Sequence, residues 1–330
     1  MSGPIIHWDD VAPHFVRQGP LDAAFRNLGA AAGTVKVGLR RQEIAPGKRA
    51  LPPHTHTAEE EIFFVLAGTG LSYQAGGALR AGPTWPAGEG AAYVVLAGDC
   101  IVHPPGSRPH TLIAGADGLD VLAFGDRVPT EVAHLPRGHV AWAGPTWFAA
   151  GEGDHPWVRD AAAGELVMPD PSPRPASIVN VEDAPLLEGA RADTVYSIRL
   201  MGEAAGSVNN GFEQVAVPPG RLNYPPHCHS TEEELYVVLD GDGDCLIQAA
   251  RKVGWEPEEH PVRRGSIVSF PAGTGVTHAL RGGPNGLVYL VFGQRDSADI
   301  CWYPRSNKVN FRGIKVIGRV EPLQYWDGEE

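Results

Sequence analysis

Long apolar stretches are missing from this chain. No run reaches the roughly 18 to 20 residues that a membrane-spanning helix needs, and the start, MSGPIIHWDD, has neither the basic nor the apolar region of an export signal. A cytoplasmic location is expected. Basic clusters are missing as well: with 27 Lys and Arg against 39 Asp and Glu, the net charge of -12 repels phosphate backbones and anionic lipid surfaces, so neither nucleic acid nor membrane is expected as a partner. Cysteine is scarce. Cys100, Cys228, Cys245 and Cys301 form no CxxC pair and fall one in the first half and three in the second, which suits reduced core thiols better than a disulfide framework. Turn formers, by contrast, are abundant. The 41 Gly and 30 Pro, with 43% hydrophobic and 20% charged residues, describe an all-β globular chain, and 330 residues favour two domains over one core.

One stretch occurs twice. Pro52 to Gly70, PPHTHTAEEEIFFVLAGTG, returns 173 positions later as Pro225 to Gly243, PPHCHSTEEELYVVLDGDG, with every histidine and glutamate in register. Side chains alternate faces in an extended chain, so His54 and His56 project to one side and Thr55 to the other; His227 and His229 do the same around Cys228. Glu61 and Glu234 lie an odd step further on, where strict alternation would send them to the wrong face. The intervening Thr57 to Glu60 and Ser230 to Glu233 must therefore be a turn or bulge that re-aims the carboxylate. Glu59, Glu60, Glu232 and Glu233 read as solvated turn charges, although a slip of one residue would make Glu60 or Glu233 the inward carboxylate.

The duplication extends in both directions. Ile5 to Asp10 matches Ile178 to Asp183, and Ala31 to Val35 matches Ala204 to Val208, each opening an alternating strand that ends at a Pro-Gly turn. Downstream, Ile62–Leu66 and Leu235–Leu239 read as strands entering hairpins whose tips, Ala75 to Ala92 and Arg251 to His260, differ in length and shift the later offset to 167 or 168. Gly98 to His110 and Gly265 to His278 each read as a strand, a Pro-x-Gly turn and a returning strand that brings back His110 or His278. The segment 168–175 is Pro-rich and reads as an extended linker. The expected division is residues 1–168, a linker 169–175, and residues 176–330.

Three imidazoles and one carboxylate per copy, His54, His56, Glu61 and His110, then His227, His229, Glu234 and His278, form a donor set for a borderline divalent metal: Fe, Mn, Ni, Co, Cu or Zn rather than Ca or Mg. Four donors in a six-coordinate sphere leave two positions open, which is the arrangement of a catalytic site. Isolated histidines would read as surface residues. Six of 13 histidines in two equivalent sets do not. The others, His7, His14, His103, His134, His139, His155 and His260, lack a repeated partner and read as surface or loop.

These segments resemble the paired motifs of the cupin superfamily. The first copy supplies Gly47, His54, His56, Glu61 and Gly68, then Gly98, Pro104, Gly106 and His110; the second supplies Gly220, His227, His229, Glu234 and Gly241, then Gly265, Pro271, Gly273 and His278. Departures are an extra residue before the first histidine, one or two before the last, and the turn Gly273-Thr274-Gly275. The resemblance covers nearly the whole chain and implies a bicupin of two tandem jelly-roll barrels, one metal in each, with iron the first choice. It is nearest to the broad group of cupin domain-containing proteins and distant from bicupin dioxygenases and oxalate decarboxylases. It implies a homo-oligomer acting on a small organic substrate. The leading expectation is a non-haem iron(II) oxygenase or dioxygenase. The alternatives are a redox-neutral isomerase, lyase or decarboxylase, and a non-catalytic binding protein.

Three residues are candidates for the substrate pocket or the surroundings of the metal. Tyr236 lies two residues after Glu234, hence on its face, where the first copy has Phe63, and reads either as a neighbour of the metal ligands or as core packing. Upstream, Val35, Val37, Leu39 and Arg41 share one face, and this apolar set is expected to face the barrel interior, so that Arg41 either points inward with it or, lying at the strand's end, snorkels to water. Its equivalent is Gln214, on a face with Val208, Asn210 and Phe212. An inward Arg41 would favour a carboxylate or phenolic ligand in the first site, and Gln214 a neutral one in the second.

Overall fold

A computed structural model describes residues 5–76, 90–144, 146–149, 156–250 and 255–329. Among these, strands dominate, and the α-helices are short: Leu28–Ala31, Pro156–Ala162 and Met201–Ala204. No described helix is long and apolar enough to cross a membrane. Of the hairpin tips that set the two copies apart in length, residues 77–89 and 251–254 lie outside the described residues, as does His155.

The chain forms two all-β barrels built on the same plan. In the N-terminal barrel an eight-stranded sheet runs in the order Ile178–Asn180, Asp99–His103, Glu61–Gln74, His110–Asp126, Val37–Ile44, Leu21–Arg26, His14–Gln18, with Ala91–Leu96 added beside Glu61–Gln74. A smaller sheet joins Thr55–His56 to Ala133–Leu135, Val140–Ala143 and Thr146–Ala149. The C-terminal barrel repeats both sheets, the larger around Glu234–Ala249 and Val276–Gln294, the smaller around Cys228–His229 and Ile300–Tyr303.

The apolar run after the motif is the hub. Ile62, Phe63, Phe64 and Val65 are all buried, so this strand is packed on both faces and its sequence does not alternate. Its inward residues Phe63 and Val65 join Phe25, Ile44, Leu112 and Val121 in the core. Past Val65 the pairing with His110–Asp126 shifts register twice, at Val65/Ala67 and Gly68/Gly70, and the strand bends there. Gly68 has φ +88°, and a Cβ on it would run into the carbonyl of Gly118, so only glycine fits at this bend.

The two compact units are not contiguous in sequence. One comprises Trp8–Pro185 with Leu200–Phe212; the other comprises Met1–His7, Leu186–Arg199 and Glu213–Glu330. The opening strand Ile5–His7 pairs with Ser266–Phe270 of the C-terminal barrel, while its repeat Ile178–Asn180 pairs with Asp99–His103 of the N-terminal barrel. The Pro-rich segment is not a free spacer either. Ser172 N–H donates to the Ala92 carbonyl at 2.8 Å, and Arg174 makes two bonds to Asp99, at 2.8 and 2.6 Å, that hold this segment on the N-terminal barrel.

Candidate metal centres

In each barrel the first and last motif histidines are tied together through their backbones. His54 and His110 exchange two N–H···O bonds of 3.1 and 2.9 Å, and His227 and His278 do the same at 3.1 and 2.9 Å. The middle histidine sits on a two-residue strand, with His56 opposite Ala133 and His229 opposite Cys301.

The turn that re-aims the glutamate is folded around a carboxylate absent from the motif. Glu131 accepts from the backbone N–H groups of Thr57, Ala58 and Glu59 at 3.2, 2.7 and 2.8 Å, and from His56 Nδ1 at 3.0 Å. Asp299 does this in the second copy, accepting from Ser230 and Thr231 N–H at 3.0 Å and from His229 Nδ1 at 2.7 Å. One side chain thus shapes the loop and fixes the imidazole. Glu131 and Asp299 were not singled out in the sequence, although their separation equals that of His110 and His278 and marked them as a repeated pair.

The other Nδ1 atoms also face acceptors: His54 the Pro52 carbonyl at 2.9 Å, His110 that of Arg108 at 3.1 Å, His227 that of Pro225 at 2.9 Å and His278 that of Val276 at 3.3 Å. With Nδ1 held outward, each ring turns Nε2 inward, where its lone pair is free for a metal once the ring is neutral. In the first copy Nε2 of His54, His56 and His110 lie 3.4, 3.8 and 2.9 Å from Glu61 Oε2. In the second, Nε2 of His227, His229 and His278 lie 3.7, 3.5 and 2.8 Å from Glu234 Oε2. His229 Nε2 is buried and has no hydrogen-bond partner. An orphaned nitrogen aimed at three other donors is what a bound cation would satisfy in the second half, and the first half repeats the donor geometry, with His54, Glu61 and His110 donor atoms within 4.8 Å of one another. Cys301 Sγ also lies within 4.8 Å of donor atoms of His227 and His229.

Electrostatics sharpen the picture. Burial opposes ionisation of Glu61 and Glu234, yet the surrounding histidines hold both carboxyls well below the usual range. Burial, with His278 beside it, pushes His227 down to about 3. Burial works against charge on His229 too, but Glu234 and Asp299 outweigh it and the pKa rises to about 9. Glu59, at the edge of the first cluster, is pushed up to about 7 by burial.

Three of the four glutamates expected to be solvated are not, and Glu59 is half-buried. Glu60 and Glu233 are fully buried and Glu232 nearly so. Glu60 accepts from Ser207 Oγ, Val208 N–H and Asn210 Nδ2, so it points away from the histidines and Glu61 is the inward carboxylate. His103 is likewise not a surface residue: it is 4% exposed and stacks on His110 with ring centroids 3.5 Å apart, a role taken by Phe270 on His278 at 3.8 Å. Burial keeps it neutral, so here an imidazole serves as an aromatic plate.

The expectation for Arg41 is corrected. Its guanidinium makes two bonds to Asp120, at 3.0 and 2.7 Å, and lies 4.6 Å over the Trp8 ring, on the face opposite the core. The inward face of Val37–Ile44 carries Ile44, and by alternation Arg40 and Gln42. Both line a cavity of about 260 Å³ together with Leu51, His56, Glu59 and Glu61. Polarity misled because a binding cavity has polar walls while this strand's other face is packed by Val37 and Leu39. The same correction moves Gln214 outward and brings in Glu213, which accepts from the Tyr224 hydroxyl at 3.4 Å and has its pKa raised by burial, with Glu234 adding to the rise. Tyr236 is fully buried, with its hydroxyl 2.9 Å from Glu234 Oε2.

Comparison with known proteins agrees with this architecture. Residues 40–123 match the family model described as Cupin domain. No curated protein sequence matches the chain. Among solved structures, a deletion mutant of Bacillus subtilis oxalate decarboxylase superposes with a TM-score of 0.59 at 15% identity, over 91% of this chain and 79% of that one. The same enzyme at pH 4.6 gives 0.58 at 15% identity over 91% and 78%. A third structure of it, whose description names Mn(II) centres, gives 0.57 at 14% identity over 91% and 79%. At such identity the likeness is one of fold.

Proposed function

We propose that the chain, two barrels of the cupin fold, is a metal-dependent enzyme holding one divalent transition metal in each barrel and acting on a small organic substrate. The observation that carries this reading is the arrangement of the six histidines: every Nδ1 is held by an outward acceptor and every Nε2 faces a carboxylate oxygen. His54, His56, Glu61 and His110 would hold the metal in the first half, and His227, His229, Glu234 and His278 in the second. A metal bound there supplies Lewis acidity and, if it is iron, redox chemistry towards dioxygen.

The rest falls to the chain's own groups. The N-terminal cavity is the substrate's place, with Arg40 and Gln42 orienting oxygen atoms of a carboxylate or phenolic ligand beside His56 and Glu61. Phe63 and His103 flank His110 and keep water from its far side. Four free, buried cysteines are in keeping with a reducing, cytoplasmic setting.

For the reaction, an iron(II) oxygenase is the first reading, because four protein donors leave room for substrate and dioxygen side by side. A redox-neutral decarboxylase is the second, favoured by the oxalate decarboxylases that share the fold. Elemental analysis of freshly purified protein should find between about one and two equivalents of a single transition metal per chain; its absence from protein purified without chelators would refute the metal reading. Oxygen uptake by iron-loaded protein with catechols, diketones or phenolic acids would select the oxygenase. Turnover under argon would select the decarboxylase or another redox-neutral lyase or isomerase. Ligand binding without product would leave a binding protein.

A further inference from the structure

The two centres share eight donors but not their surroundings, and the largest difference lies closest to the donors. Tyr236 follows Glu234 by two residues on the long strand Glu234–Ala249, so strand alternation puts both side chains on the inner face. Its hydroxyl oxygen is 2.9 Å from Glu234 Oε2 and 3.3 Å from His278 Nε2. The first of these falls within the span of 2.8 to 3.7 Å that the three histidine Nε2 atoms keep from the same carboxylate oxygen. By distance, the phenol oxygen belongs to the cluster of donors and not to a ring around it. It cannot easily leave. Tyr236 has no exposed surface, and its ring is wedged edge-on against Phe270 at 5.8 Å and tilted against Tyr289 at 5.5 Å, so no rotamer carries the hydroxyl to water. The first copy has Phe63 at this position, which brings no polar atom.

We propose that the Tyr236 oxygen is a fifth protein donor of the C-terminal centre, so that one chain carries two chemically distinct metal sites. The inference rests on reading both clusters as metal centres. The N-terminal site then has three nitrogens and one oxygen and keeps its remaining positions for substrate. The C-terminal site has three nitrogens and two oxygens, leaves one position fewer for an outside ligand, and favours a harder, more highly charged ion because its added donor is an oxygen. On coordination the phenol O–H bond breaks as the oxygen–metal bond forms, and the proton leaves to water. Substrate chemistry is thereby assigned to the N-terminal half and tight metal retention to the C-terminal half.

Iron(III) provides the probe, because a phenolate bound to it gives an intense visible charge-transfer band that histidine and carboxylate donors do not. The N-terminal site is silenced with His54→Ala/His56→Ala, the protein is loaded with iron(III), and iron content and visible spectrum are read together, with resonance Raman excitation into the band to identify phenolate vibrations. The expected result is bound iron with the band, bound iron without it in the added Tyr236→Phe variant, and iron lost about tenfold or more readily to a competing chelator in that variant. Tyr236→Phe copies the residue the first barrel already uses, and the band in the Tyr236-containing protein is informative without it. Bound iron with no phenolate band, or a band that survives Tyr236→Phe, overturns the proposal while leaving the metal reading intact. Failure of either half to bind iron, manganese or zinc overturns both.

Discussion

At the scale of single residues, the carboxylates of the half-buried Glu131 and the buried Asp299 decide whether the donors are in place. Each fixes an imidazole tautomer and folds the turn that delivers the inward glutamate, so its loss should act on metal binding without removing a donor. Asp299→Asn is expected to weaken metal binding in the C-terminal half by about 10- to 100-fold in a chelator competition and to leave the N-terminal half unchanged; equal retention in both halves would refute this role. The same side chain sets a pH dependence in the metal-free protein. His229 has a pKa of about 9 when folded against roughly 6.5 unfolded, so the folded state holds this proton more tightly. Its contribution to stability is full below roughly pH 6.5 and is lost as pH rises through about 9. The thermal midpoint of chelator-treated protein should therefore fall across that window. The fall should shrink in Asp299→Asn and vanish on metal loading; a wild-type midpoint that is flat or rising between those limits would contradict it.

At the scale of elements, the strand Val37–Ile44 shows where sequence and structure part. Arg40 and Arg41 are neighbours in sequence on opposite faces, and their substitutions should do different things. Arg41→Gln removes both bonds to Asp120 and is expected to cost about 1–3 kcal/mol of stability in chemical denaturation with little effect on ligand binding. Arg40→Gln should leave stability within about 0.5 kcal/mol and weaken carboxylate ligands at the N-terminal site in titration calorimetry. The reverse pattern would restore Arg41 to the pocket. The histidine–glutamate sets were legible because their spacing is local and repeats: His54 to Glu61 occupy one short stretch, and alternation plus one turn decides their direction. The inward face of Val37–Ile44 was not legible, because that depends on what covers the strand. The second face is packed, and a polar cavity occupies the first, so the usual equation of apolar with inward inverts. Glu60 was misread for the same reason, since its partners Ser207 and Asn210 are about 150 positions away.

At the scale of the whole molecule, the duplication was legible in the sequence and the exchange of strands was not. Ile5–His7 and Ile178–Asn180 are repeats of one another, as are their partners Ser266–Phe270 and Asp99–His103, so either pairing satisfies the pattern equally. The observed pairing predicts that deleting residues 1–7 lowers the thermal transition of the C-terminal unit; a loss confined to the N-terminal unit would contradict it. The last question is whether both barrels are working centres. Neither copy has lost a donor, both repeat the backbone bridge between first and last histidine, and both place a carboxylate behind the middle one. A vestigial site would be expected to drift first in such supporting groups, since they matter only while a metal must be held. Replacing His54 and His56 with alanine, and separately His227 and His229, should each remove close to half of the metal found by elemental analysis, and the quadruple variant should remove nearly all of it. A double variant that keeps the full load would mark that barrel as scaffold, and the intact supporting groups around it would then need a role in folding alone.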